Sequence, residues 1–208
     1  MVQESVPNNG QPHAKAACHK KNRIKWFSFA FLVLVLDQFS KWYITENFLR
    51  PKLQGKDGLG LIDWYLNTPP IMPYISVKIS SFFNIVMAWN TGVSFSLFSG
   101  MGGYVPLILI ALALAITVLF SVWLWQAEHQ WQRFCYALVI GGAIGNVIDR
   151  ARFGAVIDFL DIHAYGYHWP AFNIADMSIV TGISLLIILS LYFDLKMKQG
   201  YRKNQNDK

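Results

Sequence analysis

The sequence is short of charge. Only 14% of its 208 residues are Asp, Glu, Lys or Arg, whereas 54% are hydrophobic. A typical soluble domain carries roughly a quarter charged residues, so this composition argues against an ordinary soluble domain. The length leaves room for one membrane domain and a modest amount of structure outside the membrane.

Cysteine is also scarce, since the chain contains only Cys18 and Cys135. We expect the first in a cytoplasmic tail and the second inside a membrane span. No disulfide is therefore expected, and neither cysteine has the spacing of a metal site. The tripeptide A-A-C at residues 16–18 resembles a lipoprotein acylation site, but no apolar stretch precedes it. We expect no acylation there.

Long apolar runs, in contrast, are abundant. A membrane-spanning helix needs about 20 mostly apolar residues, and four windows approach that length. They cover residues 26–44, 105–125, 134–148 and 174–193. The second carries no charge, and the third is short and rich in glycine. The sequence therefore predicts four transmembrane helices.

Lysine and arginine concentrate beside the first and last of these windows, and positively charged flanks of this kind stay in the cytoplasm. We therefore expect cytoplasmic tails at residues 1–25 and 196–208, and a cytoplasmic link at residues 126–133. The net charge of +6 reflects these tails and indicates a membrane surface better than a nucleic-acid partner. The first window lacks a small-residue cleavage pattern, so we expect it to be retained and not removed as a signal peptide.

This topology places residues 45–104 and 149–173 on the opposite side of the membrane. Apolar and polar side chains alternate from residue 75 to 80, which is typical of a half-buried strand, and N-T-G at residues 90–92 indicates a turn. We expect a small β-rich element on the membrane surface around residues 75–88. Residues 61–74 show no clear pattern.

Several charged residues lie within or beside the spans, where they are rare and usually functional. Asp37 and Lys41 are four residues apart on one helix face, a spacing that favours an internal ion pair. Asn146 and Arg150 share a face of the third window. Asp149 and Arg150 fit a helix exit as well as a functional role.

Asp158 and Asp176 form the most suggestive pair. Asp158 follows the apolar run A-V-I, and Asp176 enters the fourth window beside Asn173. Two carboxylates in a low-dielectric site share a proton near neutral pH, because both cannot ionise cheaply. Such a pair can act as general base on water and as general acid on a substrate. An ion-coupled transporter also keeps carboxylates at helix breaks, so both interpretations stay open at this point.

Metal and serine chemistry have weaker support. Asp158, Asp161 and His163 form the spacing D-x-x-D-x-H, which matches no strong zinc signature. The segment G-V-S-F-S at residues 92–96 lacks the G-x-S-x-G pattern of a nucleophilic serine. We expect neither kind of site.

Five motifs occur in order along the chain. They are D-Q-F-S-K-W at residues 37–42, W-N-T-G-V-S-F-S-L-F at 89–98, G-G-A-I-G-N-V-I-D-R at 141–150, V-I-D-F at 156–159 and F-N-I-A-D at 172–176. Together they resemble the bacterial lipoprotein signal peptidase family, also called signal peptidase II. The resemblance extends from about residue 26 to about residue 193.

The resemblance implies an all-α membrane protein with four transmembrane helices and a small extracytoplasmic β-cradle. It implies a peptidase domain at residues 26–195, including the loop at 45–104, in the bacterial cytoplasmic (inner) membrane. The implied activity is aspartic cleavage of diacylglyceryl-modified prolipoproteins just before the lipidated cysteine, near the extracytoplasmic face and without metal or organic cofactor.

Residue by residue, the resemblance assigns catalysis to Asp158 and Asp176. It assigns substrate binding or support of the site to ten further positions: Asp37, Lys41, Asn90, Gly142, Asn146, Asp149, Arg150, Phe172, Asn173 and Ala175. Of these, Arg150 is expected either to contact a carbonyl of the substrate or to act as a structural clamp.

Three features depart from the family pattern. Trp89 stands where many members carry arginine, so a basic contact there is missing or supplied elsewhere. Residues 52–74 form a longer segment than the usual loop, and the tail before Arg23 matches no motif.

Overall fold

The computed structural model describes residues 12–92 and 104–206. Its helices are α1 (Pro12–Trp42), a π-helical segment (Tyr43–Leu49), α2 (Arg50–Gln54), α3 (Leu61–Leu66), α4 (Val105–Gln126), α5 (Gln130–Phe153) and α6 (Ile174–Asn206). Its strands are β1 (Ser76–Lys78), β2 (Phe83–Asn90), β3 (Val156–Ala164) and β4 (Tyr167–His168). The second half of the W-N-T-G-V-S-F-S-L-F motif, residues 93–98, lies outside the described residues.

Four helices are long and apolar enough to cross a membrane, as the sequence predicts. They are Arg23–Gln54, Val105–Gln126, Gln130–Phe153 and Ile174–Lys198. The third is longer than the predicted window at 134–148. It continues through Asp149 and Arg150, which the sequence analysis had assigned to an outward stretch, and ends where Gly154 adopts a left-handed conformation with φ 72°.

The first span also extends beyond its predicted end at residue 44. The helix widens into the π-helical segment and resumes as α2, which carries Pro51 in its first turn. Within the widened turn, Glu46 is fully buried and accepts hydrogen bonds from the Arg50 guanidinium at 2.6 and 2.9 Å. Its Oε2 also accepts the backbone N–H of Leu59 at 2.9 Å. This ion pair, which the sequence analysis missed, fastens the longer segment to the end of the first span.

Helix α5 occupies the centre of the bundle, where α1, α4 and α6 pack against it. Its glycines permit this close packing. A Cβ on Gly141 would lie 2.5 Å from the Ala30 carbonyl oxygen of α1, and one on Gly142 would lie 2.5 Å from the Ala175 carbonyl oxygen of α6. The glycines of the third predicted span therefore allow α1 and α6 to approach α5 closely.

The four strands form one antiparallel sheet in the order β1-β2-β3-β4. The predicted β-rich element at residues 75–88 is confirmed by β1 and β2, whereas β3 was not predicted. A buried apolar cluster lies between the sheet, the π-helical segment and α3: Leu49, Trp64, Met72, Met87, Ile157 and Phe159. Part of the unassigned stretch 61–74 is thus the helix α3, which contributes the buried Trp64.

Candidate active site

Two elements from different parts of the fold bring Asp158 and Asp176 to one end of the bundle. Asp158 is the third residue of β3, pairs with Ala88 of β2 and is 2% exposed. Asp176 lies in the first turn of α6 and is half-buried. Because β3 follows α5 after a turn and α6 begins soon after the sheet ends, both carboxylates lie beside Asn146 and Asn173.

Asp176 has a local structural reason for its position. Asn173 precedes α6, and its Oδ1 accepts the backbone N–H of Asp176 at 2.9 Å. In return, Oδ2 of Asp176 accepts the backbone N–H of Asn173 at 3.3 Å. This reciprocal pattern is a capping box, which satisfies free N–H groups at the helix start. One carboxylate oxygen of Asp176 is thereby oriented by its own helix, and the other points to Asn146.

Neutral amides, and not cations, contact the two carboxylates. Asp158 accepts hydrogen bonds from Asn90 Nδ2 at 3.0 Å and from Asn173 Nδ2 at 2.7 Å. Asp176 accepts one from Asn146 Nδ2 at 2.8 Å. Asn173 Nδ2 also lies 3.3 Å from Asn146 Oδ1, which links the two halves of the site. Among the described residues no Lys or Arg forms an ion pair with either aspartate.

The absence of a contacting cation has an electrostatic consequence. Burial, reinforced by the nearby charge of Asp176, raises the pKa of Asp158 from 3.8 to about 7, and the amide hydrogen bonds oppose this shift only partly. Asp158 therefore keeps its proton up to a much higher pH than an ordinary aspartate does. A protonated carboxyl beside an ionised one can donate and accept protons in the same reaction.

A second group of buried charges lies beneath this site. Lys41 Nζ is 2.8 Å from Asp37 Oδ2 and 2.8 Å from Asp149 Oδ2, and all three side chains are fully buried. Gln38 Nε2 donates to Asp149 Oδ1 at 2.9 Å. The ion pair that the i, i+4 spacing predicts between Asp37 and Lys41 is therefore present, and Asp149 completes it. Buried charges are tolerated when they are paired and hydrogen-bonded in this way.

This charged group also holds the two elements that carry the aspartates. Asp37 Oδ1 accepts the backbone N–H of Ala175 at 2.9 Å, which fixes the start of α6. Asp149 Oδ2 accepts the backbone N–H of Ile157 at 3.1 Å, which fixes the start of β3. The two anchored residues, Ala175 and Ile157, immediately precede Asp176 and Asp158 in the sequence.

The remaining predicted residues lie in the same region. Gly142 packs under Ala175, which is fully buried. Phe172 exchanges backbone hydrogen bonds with Leu160 of β3 at 2.9 and 3.0 Å. Arg150 Nη1 is 3.5 Å from the carbonyl oxygen of Asn146, and its buried Nε has no hydrogen-bond partner among the described residues. The structure brings these residues together, but their roles toward a substrate stay predictions.

Comparison with known proteins shows which family the chain belongs to. The family model for signal peptidase (SPase) II matches residues 29–192, which include both aspartates and every predicted supporting residue. The chain belongs to the signal peptidase II family.

Curated relatives from several bacteria agree with this membership in signal peptidase II. A lipoprotein signal peptidase of Cupriavidus pinatubonensis is 39% identical over 165 residues, covering 78% of this chain and 80% of the relative. Another from Haemophilus ducreyi is 36% identical over 181 residues, covering 86% and 98%. A third from Vibrio vulnificus is 32% identical over 196 residues, covering 93% and 98%.

Solved structures show that the fold is shared as well. A bacterial membrane enzyme determined at 1.9 Å resolution has 25% identity and a TM-score of 0.60, covering 80% of this chain and 92% of that one. A bacterial membrane enzyme structure at 2.3 Å resolution has 26% identity and a TM-score of 0.58, covering 81% and 88%.

Two residues, Trp89 and Arg152, hold the longer segment at residues 52–74 of this signal peptidase II chain. Trp89 donates from Nε1 to the Met72 carbonyl oxygen at 2.9 Å and packs on Phe153. The guanidinium of Arg152 lies 4.0 Å from the ring centre of Trp64 and donates to its carbonyl oxygen. Sequence analysis missed Arg152, which lies in the last turn of α5.

Asp161, the central residue of the weak metal interpretation, belongs to a separate contact. It accepts hydrogen bonds from Asn84 Nδ2 at 2.7 Å and from His168 Nδ1 at 2.9 Å. Burial alone would raise the pKa of Asp161, but these hydrogen bonds outweigh it and lower the pKa. Within residues 12–92 and 104–206, no three His, Cys, Asp or Glu side chains are placed to hold a metal ion.

Proposed function

We propose that this chain is an intramembrane aspartic endopeptidase that removes the signal peptide from diacylglyceryl-modified prolipoproteins by cleaving just before the lipidated cysteine. Membership of the signal peptidase II family supports signal-peptide removal from prolipoproteins. The observation that carries the aspartic mechanism is the pair of amide-bridged carboxylates, with the pKa of Asp158 raised to about 7.

The pair holds one proton in this mechanism, and the burial of Asp158 favours that residue as its carrier. The Asp176 carboxylate removes a proton from a water molecule, whose oxygen adds to the scissile carbonyl carbon. The Asp158 carboxyl donates its proton to the developing oxyanion. When the C–N bond breaks, Asp176 gives its proton to the leaving amine and Asp158 takes a proton back from a hydroxyl of the intermediate. The products are a carboxylic acid and an amine, one water is consumed, and both carboxyl groups return to their starting states.

The neighbouring residues have distinct proposed roles. Asn90, Asn146 and Asn173 orient the carboxylates through the hydrogen bonds described above. Asp37, Lys41 and Asp149 position the backbone at Ala175 and Ile157, and Gly142 and Phe172 support the same elements. Arg150 contacts a carbonyl of the substrate through its guanidinium or acts as a structural clamp. No metal or cofactor takes part in the proposed reaction.

We further propose the inner membrane as its location, with both termini in the cytoplasm and the aspartate pair near the extracytoplasmic face. The basic residues beside the first and last spans support this orientation. The tails at 1–25 and 196–208 then flank one peptidase domain at 26–195. A lipid attached to the substrate cysteine stays in the outer leaflet, which accounts for an active site at membrane depth.

The test is cleavage of a diacylglyceryl-modified peptide by purified Asp158→Asn and Asp176→Asn variants. We expect both to lose activity, while the matched control Asp161→Asn, which also neutralises a buried aspartate of β3, keeps most of it. Substantial turnover by either catalytic variant would contradict the mechanism. Ion flux in liposomes without any proteolysis would favour the transporter interpretation instead.

A further inference from the structure

A groove lies at the end of the bundle opposite the aspartate pair. Helices α4 and α6 both pack against α5 but hardly touch each other, so a cleft remains between them. Near the α4–α5 turn this cleft opens into a groove of about 840 Å³, bordered by Trp123 of α4, Tyr136 of α5 and Leu186 of α6. A second depression of about 530 Å³ shares Trp123 and Tyr136 and extends to Glu128.

The lining of this groove has the chemistry of a cation site. His129, Trp131 and Phe193 form a nearly parallel stack, with interplanar angles of 9° to 17°. Asp194 borders the groove and Glu128 borders its extension, whereas no Lys or Arg among the described residues lines either one. Aromatic faces and carboxylates both attract cations. The dipoles of the α4 end and the α5 start meet here with opposite signs and largely offset each other.

Asp194 is available to a ligand despite an existing partner. It pairs with Lys198 at 2.8 Å, but the two side chains are 53% and 69% exposed. Exposed pairs of this kind contribute little free energy because water screens them. A cation bound between Asp194 and the aromatic stack can therefore displace Lys198 at low cost.

A strip of apolar side chains connects the groove to the aspartate pair. Asp176 and Asp194 are 18 residues apart (194 − 176), which is five helical turns, so they lie on the same face of α6. Val180, Ile183 and Ile187 lie on that face between them and are 63%, 40% and 55% exposed. At about 1.5 Å per residue the strip is about 27 Å long, close to the thickness of the hydrocarbon core.

We propose that this groove binds the basic amino-terminal segment of the substrate's signal peptide, whose apolar segment lies along the strip while its cleavage site reaches the aspartates. The inference rests on the proposed function. A signal peptide has a Lys- or Arg-bearing start, 7–15 apolar residues and a cleavage site, in that order. The groove, the strip and the aspartates follow the same order along α6, and the carboxylates at the groove are opposite in charge to the basic start of a signal peptide.

The experiment compares two diacylglyceryl-modified peptides that differ only at two positions near the amino terminus, Lys in one and Gln in the other. We expect the wild-type chain to cleave the basic peptide with a kcat/KM about fivefold to tenfold higher than that for the neutral peptide. The difference should come from a lower KM for the basic peptide. Combining Glu128→Gln with Asp194→Asn should lower kcat/KM for the basic peptide and so bring the ratio close to one. Lys198→Gln, which frees Asp194, should raise the ratio.

Asp57→Asn is the control, because it removes an exposed carboxylate from the loop at the aspartate end of the molecule; it should leave the ratio unchanged. Equal cleavage of both peptides by the wild type would overturn the inference and leave the proposed function standing. Equal losses on both peptides in the double variant would point to a membrane phospholipid in the groove and would also overturn it. Cleavage of neither peptide by the wild type would reject the proposed function itself.

Discussion

Two pairs of aspartates lie at the same end of this molecule, and their surroundings differ. Asp37 and Asp149 share the ammonium group of Lys41 at 2.8 Å each. Asp158 and Asp176 are contacted by asparagine amides and by no cation among the described residues. A shared ammonium pairs two carboxylates and fixes their positions, which suits a structural role. Amides leave a carboxylate free to exchange its proton, which suits catalysis.

The largest expected effect is a loss of cleavage activity when the amide-bonded pair, Asp158 and Asp176, is changed. Asp158→Asn preserves the size and hydrogen-bonding capacity of the side chain but removes the exchangeable proton, so we expect cleavage to fall by about 10³- to 10⁴-fold. The melting temperature should stay the same or rise, because a partly ionised buried group is removed. A variant that lost activity only by unfolding would show a lowered melting temperature, and this would contradict the assignment.

The second effect is a loss of stability when the other pair, Asp37 and Asp149, loses its cation. Lys41→Met leaves Asp37 and Asp149 buried without their cation, and such a break costs about 3–5 kcal/mol. We expect a lower midpoint of denaturant unfolding in detergent, and activity reduced in proportion to the folded fraction. Lys56→Met, which removes an exposed lysine, is the control. If Lys41→Met unfolded like wild type, the structural role of this charged group would be wrong.

The third effect is the pH dependence of stability. Asp158 has an unfolded pKa of 3.8 and a folded pKa of about 7. Between these values the folded chain keeps a proton that the unfolded chain has lost, so the stability contributed by this group is highest below about pH 4 and declines as pH rises toward 7. The decline attributable to this group is up to about 4 kcal/mol. Asp158→Asn should remove it, as measured by unfolding midpoints at several pH values; an unchanged profile would contradict the raised pKa.

The smallest effect concerns one amide. The hydrogen bond from Asn90 lowers the pKa of Asp158, so Asn90→Ala should raise it further. We expect about a tenfold or smaller loss of kcat and a shift of the pH–rate profile to higher pH. Asn84→Ala, on the same strand but bonded to Asp161, should leave the profile in place. A shift to lower pH in Asn90→Ala would show that its amide does not stabilise the ionised carboxylate.

Part of this site was visible in the sequence without any resemblance to a family. The spacing of Asp37 and Lys41 predicted their ion pair, since residues four apart share a helix face. The run F-N-I-A-D contains Asn and Asp three residues apart at a helix start, which is the spacing of a capping box. The capping role of Asp176 was nevertheless not predicted from this spacing.

Other parts could not be read from local patterns. Asp149 is four residues from Phe153 and looked like a helix exit, yet it completes an ion pair with Lys41, 108 residues earlier (149 − 41). The strand β3 has apolar residues on both faces near its start and therefore lacks the simple alternation of a half-buried strand. Trp64 is buried because Arg152 and Phe153, far along the chain, cover it.

The sequence by itself determined the membrane class, the number of spans and the identity of the ionisable residues, because hydrocarbon thickness and the cost of buried charge act on composition and local spacing. Only the tertiary structure decided which aspartates meet a cation and which meet amides. That choice depends on close packing of α1, α5 and α6 at glycines and on the pairing of β2 with β3. These contacts join residues distant in sequence, so no local pattern encodes the resulting pKa of Asp158.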